Sequence, residues 1–255
     1  MSKEIVTVCL PPTPPEQVEQ ALAAAMAPFD YDLTPEPGGP GWQGEWDYWS
    51  IRGGFADDEG FLVRPGHETD PRLIFEHTRP DGTARTQAPS TWDGGPRGLL
   101  DFDAARAPVT AKAAADWRTW QQFADAYPTG RPFAAFAERA RHEPDTYPME
   151  RAREDFLAQP VIGAANTSAT VCGTFPRYVD PIAYFHGTEE QFTRRRSAAV
   201  IPTPSLLTLD GRWINGDVRN WGEKHGLTGD YYEFADQHLE NLPDDCLVVR
   251  VWYHC

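Results

Sequence analysis

The sequence predicts an α+β fold: a ferredoxin-like antiparallel sheet sandwich interrupted by a mostly helical insertion. Three observations carry this. Runs rich in β-branched residues at 4–10 and 246–254 read as strands at the two ends of the chain. Each end also holds one helical segment among its strands. Between about 97 and 200 the pattern changes to helical spacing. Removing that middle leaves βαβ followed by βαβ, the plan of such a sandwich. The expected divisions are therefore 1–96, the N-terminal half; 97–200, the insertion; and 201–255, the C-terminal half.

The elements follow in order. The strand at 4–10 stops at Pro11-Pro12, and Thr13-Pro14-Pro15-Glu16 supplies a cap, a first-turn proline and an early acid for a helix reaching Pro28. A Pro/Gly loop leads to a strand at 45–51, with shorter strands expected at 61–64 and 72–77. In the middle, 109–127 places Trp117, Trp120, Phe123, Ala124 and Tyr127 on one helical stripe, which reads as core. Helices are expected at 132–141 and 149–158, and a loop at 160–177. Thr188-Glu189-Glu190-Gln191 is a capping box opening a short basic helix through Arg194, Arg195 and Arg196. Asp210-Gly211 marks a hairpin turn, 230–242 an amphipathic helix, and 246–254 the closing strand.

Composition narrows the function classes. Hydrophobic residues at 40% and aromatics at 12% suffice for a core in 255 residues. The net charge of −15 opposes nucleic-acid phosphates, so nucleic-acid binding is not expected. Three lysines against 20 arginines, with abundant Ala, Gly and Pro, suggest a high-GC genome. No apolar run approaches the ~20 residues of a membrane span, and no secretory segment opens the chain. Cys9, Cys172, Cys246 and Cys255 have no metal-type spacing. A cytoplasmic location with reduced thiols is expected, with no membrane contact, no metal and no cofactor. Neither a nucleophile elbow nor a phosphate-binding glycine pattern is present.

Nine tryptophans are unusual, and three fall within 42–49 (Trp42, Trp46 and Trp49). Each buries roughly 150–250 Å² of mostly apolar surface, so the cluster is either core or the wall of a pocket. On a period of two, Trp46 and Tyr48 share one face of the strand, and Glu45, Asp47, Trp49 and Ile51 the other. In the last strand Leu247, Val249, Val251 and Tyr253 form an apolar face, expected to meet both helices. Cys246, Val248, Arg250, Trp252 and His254 occupy the opposite face. If the insertion folds over that second face, a cleft encloses Trp49, Asp47, Glu45, Arg250, Trp252 and His254, the candidate ligand-binding residues. Arg holds anions, Trp stacks on planar groups and His moves protons.

Several motifs together resemble a family of uncharacterised proteins of high-GC bacteria and their phages. They are Trp46-Asp47-Tyr48-Trp49, Ile51, Gly53-Gly54, Asp210-Gly211-Arg212-Trp213, Trp221-Gly222, Leu242-Pro243-Asp244-Asp245 and the terminal His254. Arg52 stands where that pattern has Gly, and Trp252-Tyr253 where it has Asp-Cys. The resemblance implies an accessory role and brings no activity. The functional expectation is a cytoplasmic accessory protein, phage-type and anti-defence in one form. It would bind a protein partner or a small planar ligand through the Trp-rich sheet face. The alternative is a small enzyme using His254, Arg250 and an acid in a cleft between sheet and insertion.

Overall fold

The computed structural model describes residues 3–32, 44–51, 60–78, 82–84, 91–176, 178–216 and 231–254. Trp42, Arg52, Gly53-Gly54, Trp221-Gly222 and Cys255 lie outside them. The chain divides into two compact units: 1–107 with 198–255, and 108–197.

In the first unit, the strands are β1 (Lys3–Leu10), β2 (Tyr48–Ile51), β3 (Phe61–Leu62), β4 (Thr91–Trp92), β5 (Gly94–Pro96), β6 (Ser205–Leu207), β7 (Trp213–Asn215) and β8 (Leu247–His254). Helix α1 spans Val18–Met26, and a later helix spans Tyr231–Glu240. The main sheet runs β2-β8-β1-β6-β7, with β5 also paired to β8, while β3 and β4 form a separate pair. Strand β8 is antiparallel to β1 over its whole length, Lys3 facing His254 and Leu10 facing Leu247.

The class is mixed α+β, but the sheet is not wholly antiparallel: β1 and β6 run parallel, Val6 facing Ser205. That one pairing reverses the expected placement of the helices. The crossovers β1→β2 and β7→β8 travel the same way across the sheet on strands of opposite sense. Right-handed crossovers then put their helices on opposite faces. Val18, Leu22 and Met26 of α1 pack on Val6, Val8, Val249, Val251 and Tyr253. Tyr231, Ala235 and Leu239 of the later helix pack on Cys9, Leu206, Ile214 and Val248. Both helices do not meet the Leu247 face, as the sequence suggested; each face of β8 has its own cover. Seven of its eight residues are consequently buried.

The second unit is helical. It contains most of α2 (Phe102–Ala124), then α3 (Phe133–His142), α4 (Met149–Leu157), α5 (Pro160–Ala165), α6 (Pro181–Tyr184) and α7 (Glu189–Ala198), which makes the Tyr231–Glu240 helix α8. Its core gathers Trp120, Val161, Ile162, Val171, Phe185 and Phe192. The Thr188 box closes reciprocally: the Gln191 amide donates to Thr188 Oγ1 at 3.2 Å, and the Thr188 amide to Gln191 Oε1 at 3.0 Å. The expected loop at 160–177 instead begins with α5. Pro160 in its first turn is already set for a helix, and Val161, Ile162 and Ala165 bury themselves. The expected strand at 72–77 reduces to an isolated bridge between Ile74 and Gly94.

His238 in α8 has its imidazole held below the ordinary value, chiefly by burial. Its Nε2 meets no partner within the described residues, and Phe234 stacks on the ring at 6.1 Å. The unfolded chain therefore takes up a proton near pH 6.5 before the folded one does. Stability from this group is complete above pH 6.5 and declines as pH falls toward the lowered folded value. The urea midpoint is expected to fall between pH 7.5 and pH 5.5, and less so in His238→Gln. Equal declines in the two proteins would refute this assignment.

Candidate functional site

The predicted residues do not share one surface. Register settles the faces: Trp49 lies opposite Tyr253, and Ser50 opposite Trp252. Trp49 is therefore on the α1 face, packed against the core that contains Trp46, whose ring meets it edge-on at 6.5 Å. It does not look toward Arg250. The alternation inferred from sequence fails because β2 begins only at Tyr48 and the chain bends at Asp47. Trp46, ahead of the bend, bridges to Asp30, and its indole N–H donates to the Met26 carbonyl at 3.0 Å. Trp46 and Tyr48 thus face opposite ways, and Tyr48 meets Trp252 edge-on at 5.7 Å. Glu45 donates its amide to the Phe29 carbonyl, in the turn that follows α1.

Asp47 and His254 do come together. The Asp47 carboxylate meets His254 Nδ1 at 2.5 Å, and the Asp47 amide donates to the His254 carbonyl at 3.0 Å. This pair fastens the start of β2 to the end of β8.

Arg250 stands apart from that pair, in a cavity of about 860 Å³ whose described lining belongs wholly to the first unit. The floor is Ile5 and Arg250 of the sheet; the walls are 60–62, the first turn of α2, and the segment 199–204. Trp252, His254 and Asp47 do not line it. The volume falls in the range of small-molecule sites. The Arg250 guanidinium lies over the Phe61 ring, 4.2 Å from its centroid, and Nη2 donates to the Ile201 carbonyl at 3.2 Å. Stacking uses the flat face of the guanidinium, while its N–H edge makes hydrogen bonds, the one to Ile201 among them.

Each wall is held by chemistry that can be traced. Gly60 permits the β3–β4 approach, since a Cβ there would lie 2.9 Å from Thr91 Cβ. Segment 199–204 is fixed by hydroxyls: Thr203 donates to the Ser205 carbonyl at 2.8 Å, so Thr7 donates to Thr203 Oγ1 at 2.9 Å, and Tyr231 donates to the Thr203 carbonyl at 2.7 Å. Asp101 caps α2 by accepting the Ala104 amide at 3.0 Å. Phe102 carries Arg97 and Arg106 over its ring at 5.4 and 5.6 Å. Those two arginines pair with Glu240, and Arg106 also with Asp236 at 2.5 Å, which ties the start of α2 to α8.

Cys9 and Cys246 are buried on the same sheet face. Burial, with the neighbouring Cys246, pushes the Cys9 thiol up, and burial does the same to Cys246. Both stay protonated and unsuited to nucleophilic work. Among the described residues no group of three or more His, Cys, Asp or Glu is gathered to hold a metal, and no helix is long and apolar enough to cross a membrane.

Of the residues singled out from the sequence only Arg250 lines this cavity; Phe61, Phe102, Thr203 and Ile201, which line it too, were not among them. Only the cap signal at Asp101, just ahead of a helical run, was available as a local hint. Scans against protein-family models, curated proteins and solved structures find no match to this chain.

Proposed function

We propose that this chain is a binding protein that takes a small planar ligand in the Arg250 cavity. The observation that carries the reading is the guanidinium seated over Phe61 on the floor of a cavity of about 860 Å³. A buried cation fixed on an aromatic ring, beside a second aromatic wall at Phe102, suits a flat molecule better than a flexible one. Phe61 and Phe102 are 6.0 Å apart and inclined at 40°. The accessory role implied by the family resemblance, including a phage-type one, is the setting we propose for this binding, with a protein partner reached elsewhere on the surface.

Titration with 1-naphthalenemethanol, a neutral planar probe, is expected to shift the NMR signals of Phe61 and Phe102. Phe61→Ala should weaken it about tenfold, the loss of roughly 1.4 kcal/mol of aromatic contact. Saturable binding that Phe61→Ala leaves unchanged would place the ligand elsewhere and end this reading.

The Asp47–His254 contact favours a second reading, a small enzyme in which the carboxylate orients an imidazole base. That chemistry needs Arg250 and His254 to reach one substrate, whereas the cavity lining holds only the first. If His254→Ala leaves probe binding intact, the pair serves strand attachment.

A further inference from the structure

We infer that helix α8 braces the Arg250 cavity from outside, and that Glu240 is the positioning residue of its Phe102 wall. This rests on the small-ligand reading above and adds what holds the site in its binding shape.

No residue of α8 belongs to the described lining, yet each end of the helix holds a wall. At its start, the Tyr231 hydroxyl donates to the Thr203 carbonyl at 2.7 Å, which fixes segment 199–204. At its end, the Glu240 carboxylate pairs with Arg97 and Arg106, the two guanidiniums that lie over the Phe102 ring. Arg97 comes from the turn ahead of α2 and Arg106 from one turn beyond Phe102, so the arginines bracket the ring along the chain. Among the described residues, Glu240 is the carboxylate that both arginines share.

The other contacts of the two arginines act on one of them at a time. Asp236, one turn earlier in α8, pairs with Arg106 at 2.5 Å. The Glu240 carbonyl accepts from Arg97 Nη2 at 3.3 Å. Asp103 lies 3.6 Å from Arg106 and Asp244 3.7 Å from Arg97, both largely exposed, where an ion pair contributes little. Glu240→Gln therefore leaves each arginine an anchor on α8 and removes the charge that joins them. The Phe102 ring, 6.0 Å from Phe61, then loses the clamp that fixes its plane. A wall that the ligand must order for itself costs affinity, because binding has to offset that ordering.

Calorimetric titration of the full chain with 1-naphthalenemethanol tests this. Glu240→Gln, with folding checked by circular dichroism, is expected to weaken the probe about fivefold, and Asp244→Asn to leave it unchanged. A double-mutant cycle identifies the route. In Phe102→Leu, which keeps an apolar wall without the ring, Glu240→Gln should have no further effect on affinity. An effect carried undiminished into Phe102→Leu, or equal weakening by Asp244→Asn, would overturn the positioning role. Unchanged binding in Glu240→Gln would overturn it too and leave the cavity reading standing. In the unaltered protein, saturating probe should slow hydrogen exchange across α8, a helix outside the described lining. Exchange in α8 that the probe leaves unchanged would overturn the brace, and that measurement stands even if a variant misfolds. Failure of the probe to bind the unaltered protein would overturn both readings.

Discussion

A Gly94→Ala variant is expected to lose about 3 kcal/mol or more of stability, the upper part of the range for forcing atoms into a packed interior. Gly94 lies in β5, against the central strand. A Cβ there would stand 2.6 Å from the Val248 carbonyl oxygen and 2.9 Å from Val249 Cα. Both are backbone atoms of β8, so no side chain can swing away to make room. Moving them would disturb the register that pairs Val248 with Cys9 and Val249 with Val8. The Asp93 carbonyl that accepts the Arg250 amide at 2.8 Å would shift as well, disturbing the cavity floor. In a thermal melt the expected fall is about 6–12 °C. A melting temperature within 2 °C of the parent would mean that β5 does not make this close approach.

The second large effect is in the other unit. Phe185 is 1% exposed and touches four aromatic neighbours. Trp120 is stacked on it at 5.4 Å and 12°, and Phe175, Tyr184 and Phe192 meet it at 6.1, 4.9 and 5.1 Å. Phe185→Ala removes the ring at the centre of that cluster and is expected to cost about 3–5 kcal/mol. The loss should be local to 108–197, which has its own core. Hydrogen exchange is the direct measurement. Protection should fall in α2 from 108 onward and in α5 and α7, while β1 and β8 keep theirs. Uniform loss across both units would show that the chain unfolds as one cooperative block.

The elements that were legible have short-range causes. The strands at 4–10 and 246–254 announced themselves by β-branched runs, and both form, as β1 and β8. Asp210-Gly211 marked a hairpin, and Gly211 adopts φ +76°, a conformation that glycine enters without steric cost. The Thr188 box closed as its spacing required. The Trp stripe of 109–127 became core in α2, with Trp120 4% exposed. Each of these signals lies within one continuous stretch of the chain.

The site was harder to see. Arg250 stood out as a cation in an apolar strand, but its partners Phe61, Ile201 and Phe102 come from three separate segments. The Trp49 face was misjudged because strict alternation was carried back through Asp47, where the chain bends. That error moved Trp49 from the α1 core into an imagined pocket.

By itself the sequence determined the two end strands and the longer helices, that the Asp-Gly turn joins β6 to β7, and that β8 carries apolar residues on both faces. Those properties depend on side-chain periodicity and local backbone preference. The tertiary structure alone decided that β6 lies parallel to β1, that α1 and α8 cover opposite faces, and that Arg250 stacks on Phe61 in a cavity. Strand sense and crossover direction depend on pairings between residues nearly 200 positions apart, as Val6 with Ser205, and no local pattern encodes them.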